Sequence, residues 1–510
     1  MPAWTTRIAN DAAPASRPSV AVIGAGVAGL TAAYKLSKKG FAVTVYEASQ
    51  RIGGRIYTDY DAFKEQGQFC EKGGEWIDST HHAVHELAHE LGLEIQDISK
   101  KRTGEDLFYF NGIFHPPSDF LNYDRQTGQT TGDYFHLAKY IGKDRKKARL
   151  NHAYARQLDD MSVEAYLDKA ARETQTPSWV IQALKVAYKG EFGAEPSEQS
   201  SLLLINQIGV GMKRPFEVYG PKQDESQRIK GGNHALIEAL KNAIESNGGR
   251  ILTGHKLTAI DQRTATGEDI LLTFSAKESG RPIRIRSNYA VCTLPFSKLR
   301  EVEGLADLKE RGRIGEEKYN AIQSLGYGNI VKIMLGMHGH PLEDNPAIPF
   351  TANGSFRSDN PYLQNTWITS VGQKGEQDSI LTVLVAGNEA KQPPGTIVRN
   401  CKKAFAALAG KKEDDIFNHR HSVQVWPRHE FSKGSYAYFK TGQYTTLRNV
   451  AGTPEIGGRL GFAGEHTDPL LYGYMCGAIA SACHEADRIT QQEKSLNGTA
   501  DHKIPKAARG

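Results

Sequence analysis

The chain is 510 residues long, 24% charged and 39% hydrophobic, with a formal net charge of +5. This length allows about two to four domains, and the composition is that of a globular protein, which excludes disordered and fibrous classes. The positive excess sits in Lys143 to Arg149 and in the tail from His502 to Arg509, without interleaved aromatic residues, so no nucleic-acid surface is expected.

No stretch approaches the ~18 apolar residues of a membrane span. Five scattered cysteines, Cys70, Cys292, Cys401, Cys476 and Cys483, form no CxxC pair, and neither a disulfide framework nor a zinc site is expected. Residues 1–18 are polar and rich in alanine and proline; they read as disordered and lack the apolar core of a secretory signal. A cytoplasmic protein is therefore expected, with export open if a leader has been removed.

The first structured segment reads as a βαβ unit. Val20 to Ile23 is a β-branched run entering Gly24, Gly26 and Gly29; a helix from about Val27 to Lys39 stops at Gly40; a second strand, Phe41 to Tyr46, ends on Glu47. Gly24 permits the tight turn, Gly26 lets backbone approach a pyrophosphate, and Gly29 lets helix and strand pack closely. The helix N-terminus, at Val27 and Ala28, offers N–H groups to the anion. Glu47 follows Gly29 at close to the ~20-residue offset of an acid that binds an adenosine ribose and disfavours a 2′-phosphate. Dinucleotide binding follows from the combination.

Arg51, Gly53, Gly54 and Arg55 come directly after Glu47 and Ala48. Two further glycines open the backbone, and Arg55 can pair with a phosphate in bidentate fashion. This glycine doublet resembles that of the flavin-containing amine oxidases, the group of monoamine oxidases, polyamine oxidases and L-amino-acid oxidases. The resemblance extends over roughly residues 19 to 490 and is most specific at its two ends.

Within Cys70 to Asp78, the run Gly73-Gly74-Glu75-Trp76 is similar to the family segment that passes beside the isoalloxazine ring, where glycines allow close approach to a flat ring. A helix with Val84, Leu87, Ala88 and Leu91 on one face follows and stops at Gly92. His81, His82, His85 and His89 read as a polar helix face rather than metal ligands, because no acid converges on them. From Phe108 to Asn206 the chain is helical and charged without a motif, with Ser162 capping a helix from Val163 to Ala171.

Gly231-Gly232-Asn233 opens a helix across Ile229 to Ile244, with Leu236, Leu240 and Ile244 at helical spacing. A strand from Arg250 to Ile260 follows, with Leu257 where the family places its adenine-contacting aliphatic residue. Leu271 to Ile285 alternates as a hairpin, and Tyr289 to Pro295, which includes Thr293, is a buried strand. In a second excursion, residues 297–415, Ile330 to Leu335 and Ile380 to Ala386 read as strands, and Tyr327 to Lys332 resembles the segment bearing the family's active-site lysine. Trp426-Pro427, Lys433 to Tyr436, Arg459 to Thr467 and Tyr472 to Ala478 cover the family's C-terminal signature. There a strand ends in Gly464-Glu465 ahead of a helix from about Gly477 to Ile489, whose N-terminus suits the negative charge a flavin gains on reduction.

The expected fold is α/β. A Rossmann-like FAD-binding domain (residues 19–80, 225–296 and 416–490) is interleaved with an α+β substrate-binding domain (81–224 and 297–415) that carries a helical subdomain, and residues 491–510 form a disordered basic tail. By resemblance, FAD is held by Gly24, Gly26, Val27, Ala28, Gly29, Glu47, Ala48, Gly53, Gly54 and Arg55 from the first end. Gly74, Glu75, Trp76, Leu257 and Thr293 join them from the middle, and Gly464, Glu465, Tyr474 and Met475 from the last return.

The resemblance further implies oxidation of a C–N bond of a primary amine or polyamine by hydride transfer to flavin N5, with O2 converted to H2O2 and the imine hydrolysed to aldehyde and ammonia. Lys332, Tyr436 and Tyr474 are the implied catalytic residues. The tyrosines form an aromatic cage whose rings favour a cationic amine by roughly 1 kcal/mol each, and the lysine acts through a water near N5. Glu75, Trp76 and Trp426 are the implied substrate contacts.

Ser435 stands where monoamine oxidases carry the flavin-linked cysteine, so non-covalent FAD is expected, with Cys476 the one nearby alternative. L-amino-acid oxidases usually place an arginine in the segment equivalent to Gly73 to Trp76. Glu75 and Trp76 there favour an amine with a second cationic group over a carboxylate. An L-amino-acid oxidase acting on basic amino acids remains an alternative, its clamp arginine coming from the unreadable excursion. A carbon–carbon dehydrogenase of the protoporphyrinogen oxidase or desaturase type and a flavin-binding scaffold without turnover are others. The expected partners are a small-molecule amine and O2, with a homodimer left open.

Overall fold

The computed structural model describes residues 17–101, 106–214, 216–220, 223–262, 269–276, 281–341, 355–375 and 377–501. Residues 1–16 and 502–510, to which the reading of disordered ends largely applies, lie outside this set. The elements that position the site are, in chain order, β1 (Ser19–Ile23), α1 (Val27–Lys38), β2 (Ala42–Tyr46), β3 (Leu107–Phe110), β4 (Ile113–His115), α2 (Ser178–Phe192), β5 (Arg250–Leu252), β6 (Tyr289–Cys292), β7 (Ile330–His338), β8 (Phe356–Ser358), β9 (Asn365–Ile368), β10 (Asp378–Ala386), β11 (Phe417–Val425), β12 (Leu460–Phe462) and α3 (Met475–Asp501).

The chain packs as two compact units. Met1–Gly54, Leu236–Ser324 and Asn449–Gly510 form the first, and Arg55–Ala235 and Leu325–Arg448 the second. The borders differ from those expected. Residues 55–80, 225–235 and 416–448 join the second unit and 297–324 the first. Long-range ties hold the moved segments together. Thr58–Asp59 pairs with Cys70–Glu71, and the Glu71 carboxylate accepts from Asn233 N at 2.8 Å. Lys318, on the helix Glu316–Ser324, donates to Ala451 O and Thr453 O at 2.7 Å each.

In the first unit a sheet of order β5-β2-β1-β6-β12 is parallel throughout. Val20 to Ile23 are all buried, as both-face coverage of a parallel sheet requires. Helices α1 and α3 pack on one another. The strand expected over Arg250 to Ile260 is broken at Gly254 into β5 and His255–Asp261, which adds to the antiparallel hairpin Ile270–Ala276/Pro282–Ser287. Helix α3 runs past Ile489 to Asp501, since Gln491, Gln492, Glu493 and Lys494 are good helix formers and Glu493 accepts from the Tyr289 hydroxyl at 2.8 Å.

In the second unit a seven-stranded sheet has the order β11-β7-β10-β9-β8-β3-β4. Side chains alternate between its faces. Val331, Ile333, Leu335, Met337, Phe356, Leu381, Val383 and Val385 pack with Ile397, Cys401 and Phe405 of the helix Pro394–Ala409. The other face carries a register row: Lys332 opposite Leu384, Leu384 opposite Asn365, Asn365 opposite Arg357, and Arg357 beside Phe108. Helix α2 lies near this row, with an added Cβ on Gly190 falling 3.9 Å from Leu384 Cδ2. The segment ahead of the helix His234–Ser246 is not helical as expected, because Gln227–Ile229 pairs with Ile95–Asp97 as strands.

Burial pushes the Glu71 carboxyl up to about 7 from an ordinary 4.5, against hydrogen bonds from Asn233 N and Thr58 Oγ1. A folded value above the unfolded one means the fold binds the extra proton, so stability is lost as pH rises from about 4.5 to 7. At ~1.4 kcal/mol per pH unit this is about 3 kcal/mol. Glu71→Gln is expected to remove that slope, so that in melts between pH 4.5 and 8 the variant gains on the wild type as pH rises. A difference that does not change with pH rejects this assignment.

Candidate active site

In the first unit the glycines of β1-α1 are placed by contact. Gly24 has φ +102, and a Cβ on Gly29 would lie 1.9 Å from Gly24 O and 2.9 Å from Thr293 Oγ1. Thr293 Oγ1 donates to Ile23 O at 2.8 Å, which seats β6 against the same turn. A Cβ on Gly26 would meet nothing within 4 Å, and no side chain caps α1. Open space therefore adjoins an uncapped helix N-terminus.

The second glycine pair folds back on this loop. Gly53 N donates to Ala25 O at 2.7 Å, and an added Cβ on Gly54 would stand 3.3 Å from Gly26 Cα. Glu47, at the end of β2, is buried and accepts from Ala25 N at 2.7 Å and Ser49 N at 2.8 Å. Its two oxygens tie the loop after β1 to the loop after β2. Leu257 is buried on the strand His255–Asp261, whose first residue donates its N–H to Glu47 O at 2.7 Å.

At the C-terminal end of this unit, Gly464 N and O both bond Ser481 Oγ, at 3.0 and 3.1 Å, anchoring the loop to α3. Glu465 is buried and accepts from Gly473 N at 2.9 Å, which shapes the turn leading to Tyr474 and Met475. The helix begins at Met475, two residues before the glycine expected to open it.

In the second unit the centre is a buried ion pair. Lys332 is 4% exposed and Glu75 5%. Lys332 Nζ donates to Glu75 Oε2 at 2.6 Å and to Gly73 O at 3.1 Å. Glu75 Oε1 accepts from Thr369 Oγ1. The ammonium lies 5.3 Å from the Trp367 ring centroid. Asn233 Nδ2 donates to Gly74 O and Glu75 O at 2.9 and 2.8 Å, fixing the strap that presents the acid.

This pair corrects the expected role of Glu75. Its charge is matched by Lys332, so it is not an open anion awaiting a substrate ammonium. Trp426 is buried, its Nε1 donates to Lys72 O at 3.1 Å, and an added Cβ on Gly73 would come within 3.3 Å of its ring. Trp76 is half-buried next to Glu75.

Tyr436 belongs to the second unit and Tyr474 to the first. The Tyr436 hydroxyl donates to Gly190 O on α2 at 2.9 Å, and its carbonyl accepts from Gly328 N at 2.9 Å. Arg55 Nη1 donates to Ser435 O at 2.7 Å, tying the residue after the glycine doublet to the residue ahead of this tyrosine.

The sequence profile of the family described as flavin containing amine oxidoreductase matches residues 27–490. The chain belongs to this family. A flavin-containing amine oxidoreductase uses FAD, and the first unit fits it: the Gly26 side is open, the helix end is uncapped, and the tight contacts at Gly24 and Gly29 leave no room for side chains.

The amine oxidoreductase is 25% identical over 492 residues to the flavin-dependent L-tryptophan oxidase RebO of Lentzea aerocolonigenes, covering 91% of this chain and 96% of that one. It is 25% identical over 499 residues to the flavin-containing amine oxidase A of Sus scrofa, covering 92% and 84%. Among solved structures, putrescine oxidase bound to putrescine superposes with a TM-score of 0.73 at 17% identity, over 93% of this chain and 99% of that one. Cyclohexylamine oxidase from Brevibacterium oxydans IH-35A gives 0.72 at 18%, over 94% and 100%. The structural likenesses establish the fold. Among the described residues no helix is long and apolar enough to cross a membrane.

Sequence reasoning missed Trp367, Thr369 and the part played by Asn233. The last followed a glycine pair and was visible as a helix opener. Nothing local marked the other two, which act through strand register.

Proposed function

We propose that this family member is an FAD-dependent oxidase of the C–N bond of a primary amine, yielding aldehyde and ammonia with O2 as acceptor. The buried Lys332–Glu75 pair on the half-open face of the seven-stranded sheet carries this reading. FAD supplies the electron acceptor and, with O2, the peroxide. The protein's residues orient and dehydrate. Lys332 has three N–H donors, two committed to Glu75 and Gly73, which leaves one for a water or substrate atom. Its neutralisation by Glu75 keeps net positive charge from repelling a protonated amine. Tyr436, pinned at its hydroxyl by Gly190, offers a fixed ring to an amine nitrogen.

A preference for polyamines has lost its carrier, because Glu75 is paired. An amino-acid substrate gains correspondingly, since a carboxylate near Gly73 to Trp76 meets no uncompensated negative charge. Anaerobic addition of monoamines, diamines and L-amino acids to the holoenzyme tests the reading: loss of the flavin's visible absorption with a primary amine, and peroxide on readmitting air, is the expected result. A panel in which nothing reduces the flavin sinks it.

The flavin is proposed to be held without a covalent bond. Ser435, ahead of Tyr436, is buried, and its hydroxyl cannot form the thioether a cysteine forms there. Acid precipitation should release all FAD into the supernatant, and a yellow pellet would show a covalent link, with Cys476 the residue to test next.

A further inference from the structure

The sheet face that carries Lys332 holds a second buried cation. Arg357 on β8 is 4% exposed and shares the register row of Lys332 through Leu384 and Asn365. Three inter-strand spacings separate the two, about 14 Å. Leu384 and Asn365 between them are only half-buried, in a sheet whose opposite face is closed.

The Arg357 guanidinium lies 5.1 Å from the Tyr219 ring centroid and 5.8 Å from that of Phe108. It donates to the Tyr219 oxygen, and that hydroxyl donates to Ala187 O at 3.0 Å. Among the described residues no carboxylate is within ion-pair distance, Asp106 and Glu225 acting only at longer range. Its buried Nε has no hydrogen-bond acceptor. Lys332 by contrast has its charge matched by Glu75. A buried guanidinium without an anion is costly, and its planar fork matches a carboxylate.

Helix α2 links this cation to Tyr436. Gly190 accepts the Tyr436 hydroxyl and adjoins Leu384. Ala187, about 4.5 Å earlier along the axis, holds Tyr219 and through it Arg357. The tyrosine and the unpaired cation therefore hang from successive turns of one helix.

We propose that Arg357 binds a carboxylate at the far end of the amine, so that the substrate is a primary amine carrying its acid group several bonds from the oxidised carbon. The separation from Lys332 argues against an α-carboxylate, which would lie beside the amine nitrogen. This rests on the primary-amine reading above and narrows it.

6-Aminohexanoate, hexylamine and 1,6-diaminohexane share a chain length and end in an anion, a methyl group and a cation. The holoenzyme is expected to favour 6-aminohexanoate in kcat/KM by roughly tenfold or more over hexylamine, with the diamine lowest. Arg357→Gln should raise KM for the acid roughly 30-fold with kcat little changed, while hexylamine stays within about twofold. Flavin content and melting temperature establish that the variant is folded. Should it fail to fold, the wild type decides: hexanoate perturbs the flavin spectrum at lower concentration than 1-hexanol if the anion site exists.

Hexylamine oxidised, with neither acid preference nor hexanoate binding, overturns the anion site alone. If hexanoate binds in an Arg357-dependent way but no primary amine reduces the flavin, the anion site stands and the primary-amine reading fails.

Discussion

Lys332→Met is expected to slow flavin reduction or reoxidation by orders of magnitude while FAD stays bound, and to destabilise the fold by about 3 to 5 kcal/mol. The second effect follows from what is left behind. Glu75, 5% exposed, keeps Thr369 as its side-chain donor but loses its cation. A buried carboxylate without its cation carries an uncompensated desolvation cost. Adding Glu75→Gln removes the stranded charge. The double variant is expected to recover most of the stability and none of the rate, which separates packing from chemistry. Unchanged rates in both half-reactions of Lys332→Met would assign the pair to the fold alone.

A pair of alanine substitutions tests the cofactor cradle with opposite signs. In Gly29→Ala the new methyl would meet Gly24 O at 1.9 Å, a backbone contact that cannot yield without moving the turn. Overpacking of this kind costs about 3 kcal/mol, and apoprotein melting should fall accordingly. In Gly26→Ala the methyl meets nothing within 4 Å, and φ of −74° suits alanine. Apoprotein stability should change by less than about 0.5 kcal/mol. The methyl would nevertheless occupy the space into which a pyrophosphate must come, so FAD affinity should fall roughly a hundredfold or more. Full affinity in Gly26→Ala would mean that the phosphates lie elsewhere.

The two ends of the chain were legible because their residues answer to neighbours close in sequence. Gly24, Gly29 and the cap-free start of α1 lie within one turn and helix, and Glu47 within one βαβ unit. The centre of the second unit was not, since its chemistry depends on partners far apart. Lys332 reaches Glu75 across 257 residues, so a carboxylate that looked open to substrate proves neutralised. Trp426 packs against Gly73, more than 350 residues away in the chain. Arg357 has no motif around it. Its place in one row with Lys332, through Asn365 and Leu384, follows from registers across three strand pairs, which no local periodicity encodes. The domain borders moved for the same reason: Glu71 with Asn233, and Lys318 with Ala451, are long-range ties.

The strand order of the first unit also sets a timetable for biosynthesis. β1 leaves the ribosome first, but its neighbour β6 begins only at Tyr289, and β12 closes that side only at Leu460. Until β6 is made the central strand has an unpaired apolar edge, and until β12 is made β6 has one, the kind of surface that attracts another nascent chain. The long insertion between β2 and β5 can meanwhile form its own helices from local contacts. Expression at lower temperature or with added holdase chaperones should therefore raise the soluble yield more than any change to the tail.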